Sequence, residues 1–215
     1  MIAARLIVLV IGYFLGTFQT GYIYGKSKGV DIRQHGSGNS GTTNTLRTLG
    51  WKAGAITFAG DLCKAILAVV IAYFLFVNRY PDAVKVLEMY AGFGAVLGHN
   101  FPFYLKFKGG KGIACTAGVI LTVCPLAVPV CLGLFIVLVG ITRYVSLGSI
   151  CMLIAFLIQV ILFHHMGLLH IGADWIIEFD ILTVCFVAMG IWRHRANIVR
   201  LLNGTENKFG QKAKS

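Results

Sequence analysis

Six long apolar runs decide what this chain can become: Ile2–Tyr24, Ala53–Val77, Val84–Leu105, Leu126–Ile141, Leu147–Phe163 and Trp175–Ile191, each bounded by charge or by Gly and Pro. A helix needs about 20 apolar residues to cross a bilayer, and a backbone in hydrocarbon must satisfy its own hydrogen bonds, which leaves helices and excludes open strands. A seventh run, Gly112–Cys124, is too short to cross unaided and reads as a thin or half-inserted helix. The expected fold is an all-α integral membrane protein, a bundle of about seven transmembrane helices with one short, in a single domain over residues 1–215. Composition agrees, since only 13% of residues are charged where soluble domains carry roughly 25%. The first run continues past a signal-peptide core without a clear cleavage site and is read as a membrane helix.

An odd number of crossings puts the termini on opposite sides, and basic residues gather on the cytoplasmic side. Lys26, Lys28, Arg33, Arg47 and Lys52 fall in the first loop, Lys106, Lys108 and Lys111 in the third and Arg143 in the fifth. Arg193, Arg195, Arg200, Lys208, Lys212 and Lys214 fall in the tail. Arg5, Arg79 and Lys85 lie opposite, with Asp82, Glu88, Asp174, Glu178 and Asp180. The N-terminus is expected outside and the C-terminus in the cytoplasm. A net charge of +11 suits anionic headgroups and phosphorylated substrates; nucleic acid is not expected, because no long basic helix or aromatic-basic platform is present. The six cysteines sit in apolar runs without C-x-x-C pairs and read as free, buried thiols.

Within this apolar chain, Gly36–Gly50 (GSGNSGTTNTLRTLG) concentrates glycines, hydroxyls, amides and Arg47. Glycines let backbone N–H groups converge on an anion, and Ser37, Thr42, Thr43 and Asn44 add donors. The spacing Gly36, Gly38, Gly41 matches G-x-G-x-x-G, but no strand precedes it, so a dinucleotide fold is rejected. A solvated turn between two helices is the competing reading. Lys106–Gly112 (KFKGGKG) is a second candidate cradle at the start of the short helix, without Walker A spacing. Lys106 reads as a headgroup anchor, Lys108 and Lys111 as phosphate ligands. Arg143–Ser149 and Trp192–Asn197 complete four polar elements on one face. Asp61 and Lys64, one turn apart inside the second run, are expected to pair toward the bundle interior and support the site. His99 and Asn100 close the third run and either orient the next loop or cap the helix; His164, His165 and His170 fall on the outer face.

Four motifs in order carry a resemblance: Gly36-Ser-Gly-Asn-Ser-Gly-Thr-Thr-Asn44, Lys108-Gly-Gly-Lys-Gly112, Arg143-Tyr-Val-Ser-Leu147, and Arg193-His-Arg195 with Asn197 and Arg200-Leu-Leu-x-Gly204. Over nearly its whole length the chain resembles the bacterial acyl-phosphate:glycerol-3-phosphate acyltransferase family, PlsY. The resemblance implies an enzyme of the bacterial inner membrane, its site on the cytoplasmic face, that moves a fatty acyl group from acyl phosphate to the 1-hydroxyl of sn-glycerol 3-phosphate. Lysophosphatidic acid and phosphate are then the products. By position, Ser37, Arg47, Lys108, Lys111, His194 and Asn197 match family sites for binding and catalysis. One departure stands out: the family commonly reads Arg-His-Arg-Glu-Asn where this chain has Ala196, so a carboxylate base at that position is excluded.

The expected site thus has Ser37, Arg47, Lys111, His194 and Asn197 as catalytic residues. Gly36, Gly38, Asn39, Gly41, Thr43, Asn44, Lys108, Gly109, Gly110 and Ser146 are expected around phosphate, with Asp61, Lys64, His99 and Arg195 as support. Acyl phosphate is a mixed anhydride whose carbonyl is already activated, so positioning and charge stabilisation suffice without a covalent intermediate. His194 or a substrate phosphate oxygen accepts the hydroxyl proton. No metal, cofactor or protein partner is expected, and the H-x-x-x-x-D signature of acyl-CoA-dependent relatives is absent. A transporter for a phosphorylated metabolite is the alternative, but no internal repeat or midplane cluster of binding groups supports it.

Overall fold

A computed structural model describes residues 1–211; Lys212 and Lys214, assigned above to the tail, lie outside the described residues. The described chain is helical and without strands. Its helices are α1 (Ile2–Thr17), α2 (Thr20–Ser27), α3 (Thr42–Leu49), α4 (Trp51–Phe76), α5 (Val84–Asn100), α6 (Ile113–Val123), α7 (Val128–Thr142), α8 (Val145–His165), α9 (Ile176–Arg193) and α10 (Arg195–Leu202). Five stretches are long and apolar enough to cross a membrane: Ile2–Ser27, Trp51–Phe76, Pro125–Thr142, Val145–His165 and Ala173–Arg193. The 17 residues of α5 and 11 of α6 fall below that length.

Several boundaries differ from those read in the sequence, each for a local reason. The first run breaks at Phe18, whose extended backbone frees a carbonyl that accepts a hydrogen bond from Lys64 Nζ. The third run ends as a helix at Asn100 rather than Leu105, because Phe101 precedes Pro102 and leaves the helical region. The Gly36–Gly50 stretch is a loop only in its first half. Gly41 is extended, Thr42–Leu49 winds into α3, and Gly50 at φ 87° ends that helix where a side chain would be strained.

Small residues set the tightest packing. Gly12 and Gly16 of α1 face Ala91 and Ala95 of α5, while Gly94 and Gly98 of α5 face the α1 backbone. A Cβ at any of these glycines would collide with the facing backbone, so the two helices approach along paired small-xxx-small stripes. Around α5 the core holds Leu87, Met89, Val119, Phe156, Phe179 and Phe186. Large apolar side chains such as Phe74, Leu132, Ile136 and Ile181 remain exposed on the outside of the bundle, where lipid rather than water covers them. Two cysteines expected inside, Cys63 and Cys185, also lie on this outer surface: their helices present them to the periphery, where a thiol is at home in hydrocarbon.

Charged groups collect at the two ends. At one end Arg5 makes a bidentate pair with Glu178 (2.6 Å each), Lys85 bonds Glu88 (2.9 Å) and His164 Nδ1 meets Asp180 (2.9 Å). At the other end α3, α10, the start of α8 and the loop before α6 surround a cavity.

Candidate active site

The first wall of the cavity is built around Asn44. Its Nδ2 donates to the carbonyls of Ile32 (2.9 Å), His35 (3.0 Å) and Asn39 (2.9 Å), and its Oδ1 accepts from Ser37 N–H (2.8 Å). The loop between closes through Gly36 and Gly38, both in the left-handed region at φ 58° and 68°. Asn44 was expected to bind phosphate; it is buried and its amide is spent on holding the loop. Asn39 Oδ1 likewise accepts from Gly41 N–H. Buried Gln19 ties this wall to α5, accepting from Ser40 Oγ (2.8 Å) and donating to the His99 carbonyl (2.9 Å).

The second wall corrects the expected Gly109-Gly110 cradle. Consecutive left-handed residues Lys106 and Phe107 turn the chain back on α5, and the N–H groups of Gly109 and Gly110 donate to the carbonyls of Asn100 and His99. These amides are therefore not offered to an anion, and Gly110 packs on the His99 ring, where a side chain would not fit. Their carbonyls accept from Arg193 Nη2 (3.1 and 2.7 Å). One step later, Gly112, Ile113 and Ala114 line the cavity at the start of α6, whose first N–H groups lack intrahelical acceptors. The start of α3, at Thr42 and Thr43, faces the same space.

The cavity itself, about 150 Å³, brings together Ser37, Arg47, Lys111, Ser146, His194 and Asn197, residues far apart in the chain. Lys111 Nζ donates to Asn197 Oδ1 (2.7 Å). Burial pushes the Lys111 ammonium down to about 8, with Glu206 opposing and Arg200, Arg193 and Arg47 adding to the fall. His194 is 1% exposed and its Nδ1–H donates to the Gly190 carbonyl (2.7 Å), which leaves Nε2 as an acceptor. Burial, and then the Lys111 charge, hold this imidazole near 4, so it is neutral at physiological pH. Ser146 Oγ is buried on the cavity wall without a partner among the described residues.

Beneath lies the expected ionic support. Lys64 Nζ donates to Asp61 Oδ1 (2.8 Å) and to His99 Nδ1 (2.9 Å), all three buried, with Asp61 and His99 reaching the cavity floor. Because an ammonium only donates, His99 Nδ1 accepts and the ring proton sits on Nε2. Arg195 does not join: it is exposed over the Trp192 ring, 4.4 Å from its centroid. Lys108 does not join either. It lies in a second, shallower basin with Arg33 and Arg193, across the wall formed by Ser37 and Asn39, which touch both spaces. Residues without a role in the sequence reading also line the main cavity, notably Arg200 and Glu206. Their signal was weak, because the tail folds back only through contacts the linear pattern does not carry.

The glycerol-3-phosphate acyltransferase family model matches residues 6–204. Glycerol-3-phosphate acyltransferases from Clostridioides difficile (strain 630) and Alkaliphilus metalliredigens (strain QYMF) are each 44% identical, over 98% and 97% of both chains. The chain belongs to the glycerol-3-phosphate acyltransferase family. Its fold matches crystal structures of PlsY, described as an integral membrane glycerol 3-phosphate acyltransferase. The glycerol 3-phosphate form gives a TM-score of 0.80 at 33% identity, covering 96% of each chain. The lysophosphatidic acid form gives 0.79 at 32%, covering 96% of this chain and 95% of that one. The chain is thus a membrane-embedded acyltransferase.

Proposed function

We propose that the enzyme transfers a fatty acyl group from acyl phosphate to the 1-hydroxyl of sn-glycerol 3-phosphate, releasing lysophosphatidic acid and inorganic phosphate as the first acylation of phospholipid synthesis. The observation that carries this reading is the cavity where cationic Lys111 and Arg47 and two helix starts face neutral His194. Such a space neutralises phosphate while offering an acceptor to a hydroxyl. Phe58 of α4 and Phe135 of α7 also line it, and Phe58 is 44% exposed toward the outside of the bundle, which suits an acyl chain entering from lipid.

In the reaction the glycerol oxygen attacks the acyl carbonyl, forming the ester C–O bond, and the anhydride C–O bond breaks toward phosphate. Lys111, Arg47 and the α6 amides carry the negative charge that grows on the leaving group, with Ser37 and Ser146 donating to phosphate or to the oxyanion. His194 Nε2 accepts a hydrogen bond from the attacking hydroxyl and aims it. An imidazole held near 4 is a poorer proton sink than a phosphate whose second ionisation lies near 6, so the departing phosphate takes the proton. Lys108 with Arg33 and Arg193 forms an outer anion basin. The chain crosses the bacterial inner membrane about seven times, counting α5 and α6, with the N-terminus outside and this cavity toward the cytoplasm, in keeping with the basic loops.

The test uses purified enzyme in detergent with palmitoyl phosphate and glycerol 3-phosphate. Phosphate release that requires both substrates, lysophosphatidic acid as product, no turnover with palmitoyl-CoA and full rate in chelator are expected. Transport of glycerol 3-phosphate into sealed vesicles without acylated product would overturn the reading in favour of a carrier.

A further inference from the structure

After α10 the chain turns at Gly204 (φ 68°) and returns across the cavity. Its far end is clasped by Arg143: the Arg143 guanidinium donates to the Phe209 carbonyl (2.8 and 3.2 Å), and Phe209 N–H donates to the Arg143 carbonyl (2.6 Å). Between these anchors the Glu206 side chain is driven inward to 6% exposure. One carboxylate oxygen accepts from Arg200 Nε (2.9 Å) and the other from Asn197 Nδ2 (2.9 Å). A buried carboxylate needs such donors to offset its desolvation. The result is a continuous series from Arg200 through Glu206 and Asn197 to Lys111.

The direction of that series matters. An amide can present either its oxygen or its nitrogen to Lys111, and only the oxygen can accept from an ammonium. With Glu206 on the other side, only the nitrogen can face the carboxylate, so Glu206 selects the orientation of Asn197 that places Oδ1 on Lys111. We propose that Glu206 is a positioning residue of acyl transfer, acting through Asn197 to hold Lys111 in place and charged, and that the C-terminal tail is a wall of the site. This rests on the reading of Lys111 as a phosphate ligand given above. The other charged or titratable groups around Lys111 are Arg47 from α3, Asp61 from α4, His99 from α5, Arg193 and His194 at the end of α9, and Arg200 from α10. Asp61 is tied to Lys64, which leaves Glu206 as the acid that counters the surrounding arginines. The neighbouring Ala196 is exposed, so the carboxylate beside Asn197 comes from the tail and not from that position.

The test compares wild type with Glu206→Gln and Glu206→Asp on folded, monodisperse enzyme. A Gln side chain keeps one acceptor oxygen and carries no charge, so it leaves either Arg200 or Asn197 without its partner. Expected for Glu206→Gln are a loss of roughly tenfold in kcat/KM and an alkaline limb of the pH profile that moves below the wild-type position near 8. Glu206→Asp restores the charge and should return the limb toward its wild-type place even where the rate stays reduced. Glu206→Ala gives the same two readouts should the amide disturb folding. Reductive methylation of Lys111 against pH, followed by mass spectrometry, reads the same shift without turnover. A wild type inert toward acyl phosphate would count against the preceding section alone, while the methylation limb still decides the role of Glu206. Wild-type kcat/KM with an unmoved limb in folded Glu206→Gln would overturn the proposal. So would equal losses in the Gln and Asp variants with both limbs unmoved, which is what a purely mechanical strap gives.

Discussion

The two ends of the bundle differ in how completely their charge is matched. At the end that carries Arg5, the recessed cations are matched to acids, Arg5 with Glu178 and Lys85 with Glu88, and His164 hydrogen-bonds Asp180. Around the cavity Arg200 and Lys64 have acids, Glu206 and Asp61, but Lys111 bonds an amide oxygen instead of a carboxylate and the Arg47 side chain makes no hydrogen bond among the described residues. A matched pair is spent on structure, whether it joins two helices, as Arg5 and Glu178 do, or stays within one, as Lys85 and Glu88 do. A recessed cation without its own acid costs desolvation in the empty protein and regains it when an anion arrives. The difference separates structural charge from charge kept for chemistry, and it can be broken by mutation at either end.

The largest effect is expected from Lys111→Ala, which removes a charge-assisted contact of about 1.5–3 kcal/mol and so about 10-fold to 100-fold in kcat/KM. Next comes His194→Ala. If Nε2 aims the hydroxyl while phosphate takes the proton, steady-state kinetics should give a KM for glycerol 3-phosphate raised about tenfold with kcat little changed; a loss confined to kcat would make His194 the base. In the wild type, kcat/KM should fall as pH rises through about 8, because Lys111 then loses the charge that binds phosphate. His194, held near 4, stays neutral over that range. Smaller still is Lys108→Ala, in the open outer basin, where an exposed contact of about 0.5–1 kcal/mol gives a few-fold loss at most. Lys106→Ala, outside both spaces, should leave turnover unchanged in the same assay.

Much of this was legible in the sequence, and the failures have physical causes. Run length and charge gave the helical bundle, and the Asp61–Lys64 pairing followed from helical spacing and the cost of intramembrane charge. Ser37, Arg47, Lys111, His194 and Asn197 do converge. Composition, however, counts donors without saying whether they are occupied: Asn44 and the amides of Gly109 and Gly110 have the right chemistry but satisfy the local backbone. Lys108 and Lys111 looked equivalent three residues apart, yet the turn at Lys106–Phe107 and the start of α6 send them into separate spaces. The paired stripes Gly12-x-x-x-Gly16 and Gly94-x-x-x-Gly98 were present in the sequence, but neither motif alone names its partner helix. Glu206 was unreadable because its role depends on a chain reversal fixed by Arg143, more than 60 residues away.

Thermal unfolding and lysophosphatidic acid formation measured side by side on Lys111→Ala and Glu178→Gln put the contrast between the ends to its most direct test. Glu178→Gln breaks the bidentate pair with Arg5 and should lower stability by about 1 kcal/mol while kcat/KM stays at the wild-type value. Lys111→Ala should keep the wild-type unfolding temperature, or exceed it, and lose at least about tenfold in kcat/KM at limiting substrate. Full activity in Lys111→Ala would contradict the account and place the site elsewhere.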